Sequence, residues 1–269
     1  MVTISELNIY PLKSGRRISK TSVRLVATGL EWDRHWMITN CAGTFLTQRT
    51  HPCMARIETE IADETVTFRA PGPDKLTLPL RPTGAPSSVQ VWKDRCEALD
   101  QGDAAGHWAS AAIGEAARLV RVPAAAKRMA NPEFAGPAPI PVAFSDGFPI
   151  LVCNRSSLDD LNMRMPEPVP MERFRPNIVL DGLPPFAEDH IAAIAIGPAR
   201  LRLVKPCTRC IITSTDQLTG ERSTNPLPVL REFRFNRSLL GVTFGENAVP
   251  SEGVGSIIER GAQCQVEYR

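Results

Sequence analysis

This 269-residue sequence has no excess of charge of either sign; its formal net charge is +2. Such a balance leaves no basic stripe of the kind a phosphate backbone demands, so nucleic acid is not expected as a partner. Long apolar runs are also missing. The longest, such as "FPILVC" at 148–153, fall far short of the roughly 20 residues that cross a bilayer, so no membrane span is expected. The opening "MVTISELNIYPLKSG" lacks the basic start, apolar middle and small-residue cleavage site of a secretory signal, and a cytoplasmic location follows as the expectation. Cysteine is present without a disulfide framework: seven residues, an odd number, lie scattered at 41, 53, 96, 153, 207, 210 and 264. That suits a reducing compartment, and most of these thiols are expected to be buried as small hydrophobes.

What the chain does contain is β pattern. Up to about Leu99, short apolar runs alternate with turn residues: "ISELNIYPL", "SVRLVAT", "HWMITN", "ARIETEI", "TVTFRA", "KLTLPL" and "SVQVW". This predicts a strand-rich sandwich or barrel. The Ala-rich stretch at 103–120 predicts an amphipathic helix, with Trp108, Ala112 and Ala116 on one face. A Pro/Ala-rich crossover at 122–144 then leads to a second half. There "FPILVCN", "NIVLDG", "AIAIGPARLRLVK", "CIITSTD", "LLGVTF" and "SIIERGAQCQVEY" predict strands, and "SSLDDLNMRM" and "PLPVLREFR" predict helices. The expected fold class is mainly β with a few helices, divided at 1–121 and 122–269.

Cys207 and Cys210, in "LVKPCTRCIITSTDQLTG", are the most conspicuous chemical feature. A structural zinc site needs a second ligand pair, and neither another CxxC nor an HxxxH occurs. A thioredoxin-type dithiol sits at the start of a helix, whereas the β-branched "IITST" favours extended chain. Lys205 and Arg209 would stabilise a nearby thiolate, and two inert buried thiols remain the plain alternative. Elsewhere, Ser157 precedes Asp160 by three residues, a capping-box spacing whose helix N-terminus is also a ready anion site. "YPLKSG" offers the Lys13 ammonium and Ser14 hydroxyl without P-loop spacing. "DRHW" offers Arg34, and "FRPN" offers Arg175 and Asn177, where an ordinary ion pair is the plain reading.

Taken in order, "YPLKSG", "GLEWDRHWMI", "QVW", "FSDGFPILVCNRSSLDDLN", "FRPNIVLDG", "KPCTRC" and "LTG" resemble the MOSC proteins, named for their likeness to the C-terminal domain of molybdenum cofactor sulfurase. More narrowly, the chain resembles the branch containing the mitochondrial amidoxime-reducing component and its bacterial relatives, from about Ile4 to Val266. The resemblance implies a β-rich N-terminal domain packed on a MOSC β-barrel, with the molybdenum cofactor (Mo-molybdopterin) at their junction. It implies that Cys210 is the molybdenum ligand and that Cys207 is not. It further implies that Lys13, Ser14, Arg34, Ser157, Arg175, Asn177, Thr208 and Arg209 grip the phosphate and pterin.

The implied activity is two-electron reduction of small N-hydroxylated compounds: hydroxylamines, amidoximes and N-hydroxylated bases. No iron–sulfur spacing of cysteines and no flavin or nicotinamide fingerprint occurs before Arg269, so electrons are expected from a separate ferredoxin- or flavoprotein-type reductase. The competing expectation is a molybdenum cofactor carrier or sulfur-relay protein in which Cys207 or Cys210 bears a persulfide.

Overall fold

The computed structural model describes residues 1–125 and 127–269; Ala126, inside the expected crossover, lies outside the described residues. Seven strands close into a barrel. Their order is Ile150–Asn154, Ile178–Asp181, Val2–Ile9, Gln263–Tyr268, Ile191–Ile196, Ala199–Thr208 and Gly241–Glu252, which pairs back onto Ile150–Asn154. All neighbours are antiparallel except Ile150–Asn154 with Ile178–Asp181. That parallel pair needs a crossover, which helix Arg155–Arg164 supplies. Alternation along the strands fills the barrel: Ala199, Leu201 and Leu203 are buried while Arg200 and Arg202 are not. Ile4, Leu7, Val152, Ile178, Leu180, Ile194 and Ala248 complete the same core.

The first strand therefore belongs to the barrel, although 1–121 was expected to form a domain of its own. Ile4, Leu7 and Ile9 face a core built mostly from the second half. Ser22–Val26 likewise pairs with Ile257–Glu259.

The rest of the first half forms a four-stranded sheet in the order Trp36–Asn40, Ala117–Arg121, Asp94–Asp100, Ala85–Val91, beside a three-stranded meander. Trp36, Phe68 and Trp108 pack ring to ring in its core, with centroids 5.8 Å apart at each step. The expected helix over 103–120 is shorter than its pattern. Asp103–Ile113 is helical, and Gly114 at φ 83° caps it through an N–H bond to the Ser110 carbonyl. Ala117–Arg121 then pairs with Trp36–Asn40 as a strand.

A second correction concerns "CIITSTD". Strand Ala199–Thr208 ends before it, and Ile211–Ser214 forms a 3₁₀ turn. The turn is held by side chains: Thr213 Oγ1 donates to the Cys210 carbonyl at 3.0 Å, and Arg222 donates to the Ile211 carbonyl at 2.6 Å. A third concerns the thiols. All seven are free, but only Cys153 and Cys264 are buried.

Candidate functional site

A cleft of about 810 Å³, its open mouth included, lies where the first half meets the barrel. Eight of the nine expected site residues line it: Lys13, Ser14, Arg34, Arg175, Asn177, Thr208, Arg209 and Cys210.

Lys13 and Ser14 reach it through a tight turn after the first barrel strand. Ser14 adopts φ 67°, and a Cβ on Gly15 would lie 2.9 Å from the Leu12 Cβ, so glycine is required there. Lys13 Nζ donates to the Phe144 carbonyl at 2.8 Å and pairs with Asp146 at 2.5 Å. Burial lowers the Lys13 pKa, and Asp146 opposes that shift. In return, lost hydration pushes the Asp146 carboxyl up, but Lys13 and Arg49 outweigh it and hold the group well below the usual carboxylate range.

Arg34 and Arg175 converge from different halves on one ring, their guanidinium carbons 4.4 and 4.2 Å from the Tyr10 centroid. Both have positive φ, 52° and 56°, a conformation that ordinary side chains adopt rarely. Arg34 donates to Asp33, to Asn177 Oδ1 at 3.0 Å and to the Arg175 carbonyl at 3.3 Å. The plain ion-pair reading of "DRHW" thus holds alongside the cleft role. Burial pushes the Asp33 carboxyl up, and Arg34 pulls it back. Both ends of the Asn177 amide are engaged: its Oδ1 also accepts from Leu151 N, and its Nδ2 donates to the Asn8 carbonyl. It braces Arg34 at the cleft wall.

Arg175 Nη1 donates to Gln217 Oε1 at 3.0 Å, while its Nη2 is buried with no partner among the described residues. Burial, with Arg34 adding to it, lowers this guanidinium to about 10. Arg209 is similar: Nη1 reaches Cys207 Sγ at 2.9 Å, Nη2 reaches the Phe174 carbonyl, and Nε is buried and unpartnered. An orphaned buried donor on a cation is costly unless an acceptor arrives, so these atoms fit an anionic ligand. Counting Arg49, five cations line the cleft against one carboxylate, Asp146.

The two cysteines differ in their contacts. Register shifts between Leu203 and Lys205 and between Pro206 and Thr208 bend the strand as it reaches the cleft. Cys207 Sγ then accepts from Arg209, whereas Cys210 Sγ lines the cleft with no hydrogen-bond partner among the described residues. The extended-chain argument against a dithiol does not survive the 3₁₀ turn; this difference in partners now separates the two sulfurs. Lys205, expected beside them, stacks on Phe134 with Nζ 4.6 Å from the ring centroid.

Ser157 is the correction at this site. It does not line the cleft, and it is the third residue of its helix, whose N-cap is Asn154 without a side-chain cap. Its hydroxyl is fully buried, donating to Glu188 at 2.8 Å and accepting from Phe186 N at 2.7 Å. No anion site opens there. Residues missed from sequence are Thr47, Arg49 and Asp146. Asp146 stands inside the quoted "FSDGF", while Arg49 belonged to no motif.

Barrel, cleft and paired cysteines together define a two-part MOSC protein. The MOSC N-terminal beta barrel domain model matches residues 1–116, and the MOSC domain model matches 139–265. The chain is 33% identical over 245 residues to mitochondrial amidoxime-reducing component 1 of Mus musculus, covering 86% of this chain and 71% of that protein. It is 32% identical to the Homo sapiens protein of that name, over 86% and 72%. Molybdenum cofactor sulfurase of Danio rerio is 28% identical over 89% of this chain and 31% of its own length. The chain belongs to the MOSC family, in the group that contains the mitochondrial amidoxime-reducing components.

Proposed function

We propose that this chain binds the molybdenum cofactor in its cleft and reduces N-hydroxylated compounds with electrons from a separate ferredoxin- or flavoprotein-type reductase. One observation carries the reading: an unpartnered thiol, Cys210, shares a cleft with buried cationic donors, Arg175 Nη2 and Arg209 Nε, that have no acceptor among the described residues. A ligand with a soft metal and a phosphate suits that donor set. Names of relatives that include amidoxime reduction and molybdenum cofactor support it.

When bound, the cofactor supplies two-electron redox chemistry at a thiophilic metal. The balance is R–NHOH + 2 e⁻ + 2 H⁺ → R–NH₂ + H₂O. Cys210 would be the protein's sulfur ligand to that metal, since its thiol lines the cleft without a partner among the described residues. Lys13, Ser14, Arg34, Arg175, Thr208 and Arg209 hold the anionic end, with Asn177 bracing Arg34. Arginine suits that task because its planar fork meets phosphate with two parallel bonds.

A second reading, a cofactor carrier or sulfur-relay protein, draws on the contact of Arg209 Nη1 with Cys207 Sγ, which holds a second sulfur at the cleft. The test separates the two. Protein purified from cells that make the cofactor should carry molybdenum and pterin, and Cys210→Ala should lose the metal. With reduced viologen as donor, the loaded protein should reduce benzamidoxime. Loaded protein inert toward amidoximes, hydroxylamines and N-hydroxylated bases would favour the carrier, and wild type free of metal and pterin would overturn the reductase and the carrier and leave the sulfur relay.

A further inference from the structure

The "QVW" stretch ends in a residue whose conformation needs a reason. Val91 pairs with Asp94 across a hairpin, leaving Trp92 and Lys93 as its two-residue loop. Trp92 adopts φ 57°, where such loops favour Gly, Asn or Asp and a bulky aromatic is strained. The residue is 42% exposed. It packs against Phe45, centroids 5.1 Å apart, and the Arg49 guanidinium lies 4.5 Å above it.

Arg49 is thereby held against the Trp92 ring at the cleft wall. Its Nη1 is buried and unpartnered among the described residues, and its Nη2 is 3.5 Å from Asp146 Oδ2. Among the described residues Asp146 is the one carboxylate that lines the cleft, and a carboxylate's roughly four lone-pair sites exceed the bonds it makes to Lys13, Arg49 and the Trp92 side chain. A donor on a flat cation beside a free acceptor is an arrangement with a definite complement.

We infer that Arg49 and Asp146 are the substrate-recognition pair of the cleft, held by Trp92, and that they select flat N-hydroxylated amidines and bases over simple hydroxylamines. Such a molecule carries an N–O oxygen and an adjacent NH₂ in one conjugated plane. Arg49 donates to the oxygen edge to edge, its N–H groups in the substrate's plane, while Asp146 accepts from the NH₂. The amidine product is a cation with two N–H groups on one edge, which is what a carboxylate binds bidentately. Trp92 is a positioning residue that touches both members of the pair, its ring under the Arg49 guanidinium and its side chain hydrogen-bonded to Asp146. The inference rests on the reductase reading above.

The experiment compares wild type, Trp92→Gly, Arg49→Lys and Asp146→Asn, all purified with cofactor. Trp92→Gly suits the positive φ, so loss of folding does not confound it. Three readouts are taken: molybdenum content, KM and kcat for benzamidoxime and for hydroxylamine, and calorimetric binding of benzamidine. All variants should keep the wild-type metal content. KM for benzamidoxime should rise by roughly tenfold in Trp92→Gly and Arg49→Lys with kcat nearly unchanged, and KM for hydroxylamine should move less than about twofold. Asp146→Asn should weaken benzamidine binding by roughly tenfold or more. Loss of molybdenum in any of the three variants would assign the pair to the cofactor and overturn the inference, as would equal KM changes for the two substrates. Benzamidine binding that depends on Asp146, in a loaded wild type that reduces nothing, would sink the reductase reading and leave the recognition pair standing.

Discussion

Gln48 and Gln217 face each other across the junction of the two halves, each amide donating to the other's carbonyl oxygen at 3.0 Å. Gln48 comes from the segment that carries Arg49, and Gln217 from the loop that follows the cysteine turn. Their remaining N–H groups go to the Ser14 and Thr215 carbonyls, and Gln217 Oε1 also takes Arg175 Nη1. Both side chains are buried, so a partner left behind has no water to turn to. Gln48→Ala or Gln217→Ala should each cost about 1–3 kcal/mol in denaturant unfolding, as expected for orphaned buried amides. The double variant should cost less than the sum, by about 0.5–3 kcal/mol. Strict additivity in that cycle would show that the two amides do not act as a pair.

Ser157 offers a sharper division between fold and site. Its hydroxyl links Glu188 to the Phe186 N–H inside the protein and does not line the cleft. Ser157→Ala should therefore destabilise folding by about 1–3 kcal/mol, while molybdenum content of the folded protein stays at the wild-type level. Metal loss with unchanged stability would restore the cofactor role that the family resemblance implies.

The Ser157 case shows where sequence reading reaches its limit. S-x-x-D spacing describes four consecutive residues, yet the partners of that hydroxyl come from a turn about thirty positions away. Ile211–Ser214 failed for the same reason: its β-branched residues favour extension, and Arg222 from a later loop helps hold the turn. The barrel place of Val2–Ile9 depends on pairing with strands at the far end of the chain, which no local period encodes. Gly114 was different: a glycine after an Ala-rich run is a local stop signal, and the helix expected over 103–120 ran past it. The cleft itself was legible because seven short stretches occur in one order, although each alone is commonplace. Arg49 and Trp92 were not, because their roles arise only from contact with each other.

The unequal surroundings of the two cysteines predict unequal consequences. Cys210 Sγ has no hydrogen-bond partner among the described residues, whereas Cys207 is held by Arg209. Cys207→Ala should keep most of its molybdenum, and Cys210→Ala should keep almost none. Equal loss from both would point to a dithiol site. Arg209→Lys offers a further check, since a single ammonium cannot bridge Cys207 Sγ and the Phe174 carbonyl as the guanidinium fork does. Metal content in that variant should fall to an intermediate level.

A pH dependence of stability should come from a residue that does not line the cleft. Glu246 is fully buried in barrel strand Gly241–Glu252, with Oε2 3.2 Å from Arg269 Nη2 and Oε1 unpartnered among the described residues. Burial raises its pKa from 4.5 to about 8; Arg269 pulls the other way, and Asp189 and Glu188 add to the rise. The folded state thus holds this proton more tightly than the unfolded chain does. Its stabilising effect is complete below the unfolded pKa and is lost as pH rises from about 4.5 through 8. Unfolding free energy should accordingly fall across that window by an amount on the order of a few kcal/mol. Glu246→Gln, neutral at every pH in the range, should flatten the profile and make the protein more stable than wild type at the alkaline end. A wild-type profile already flat between those limits, or a Gln variant that loses stability as steeply, would show that Glu246 is not the group responsible.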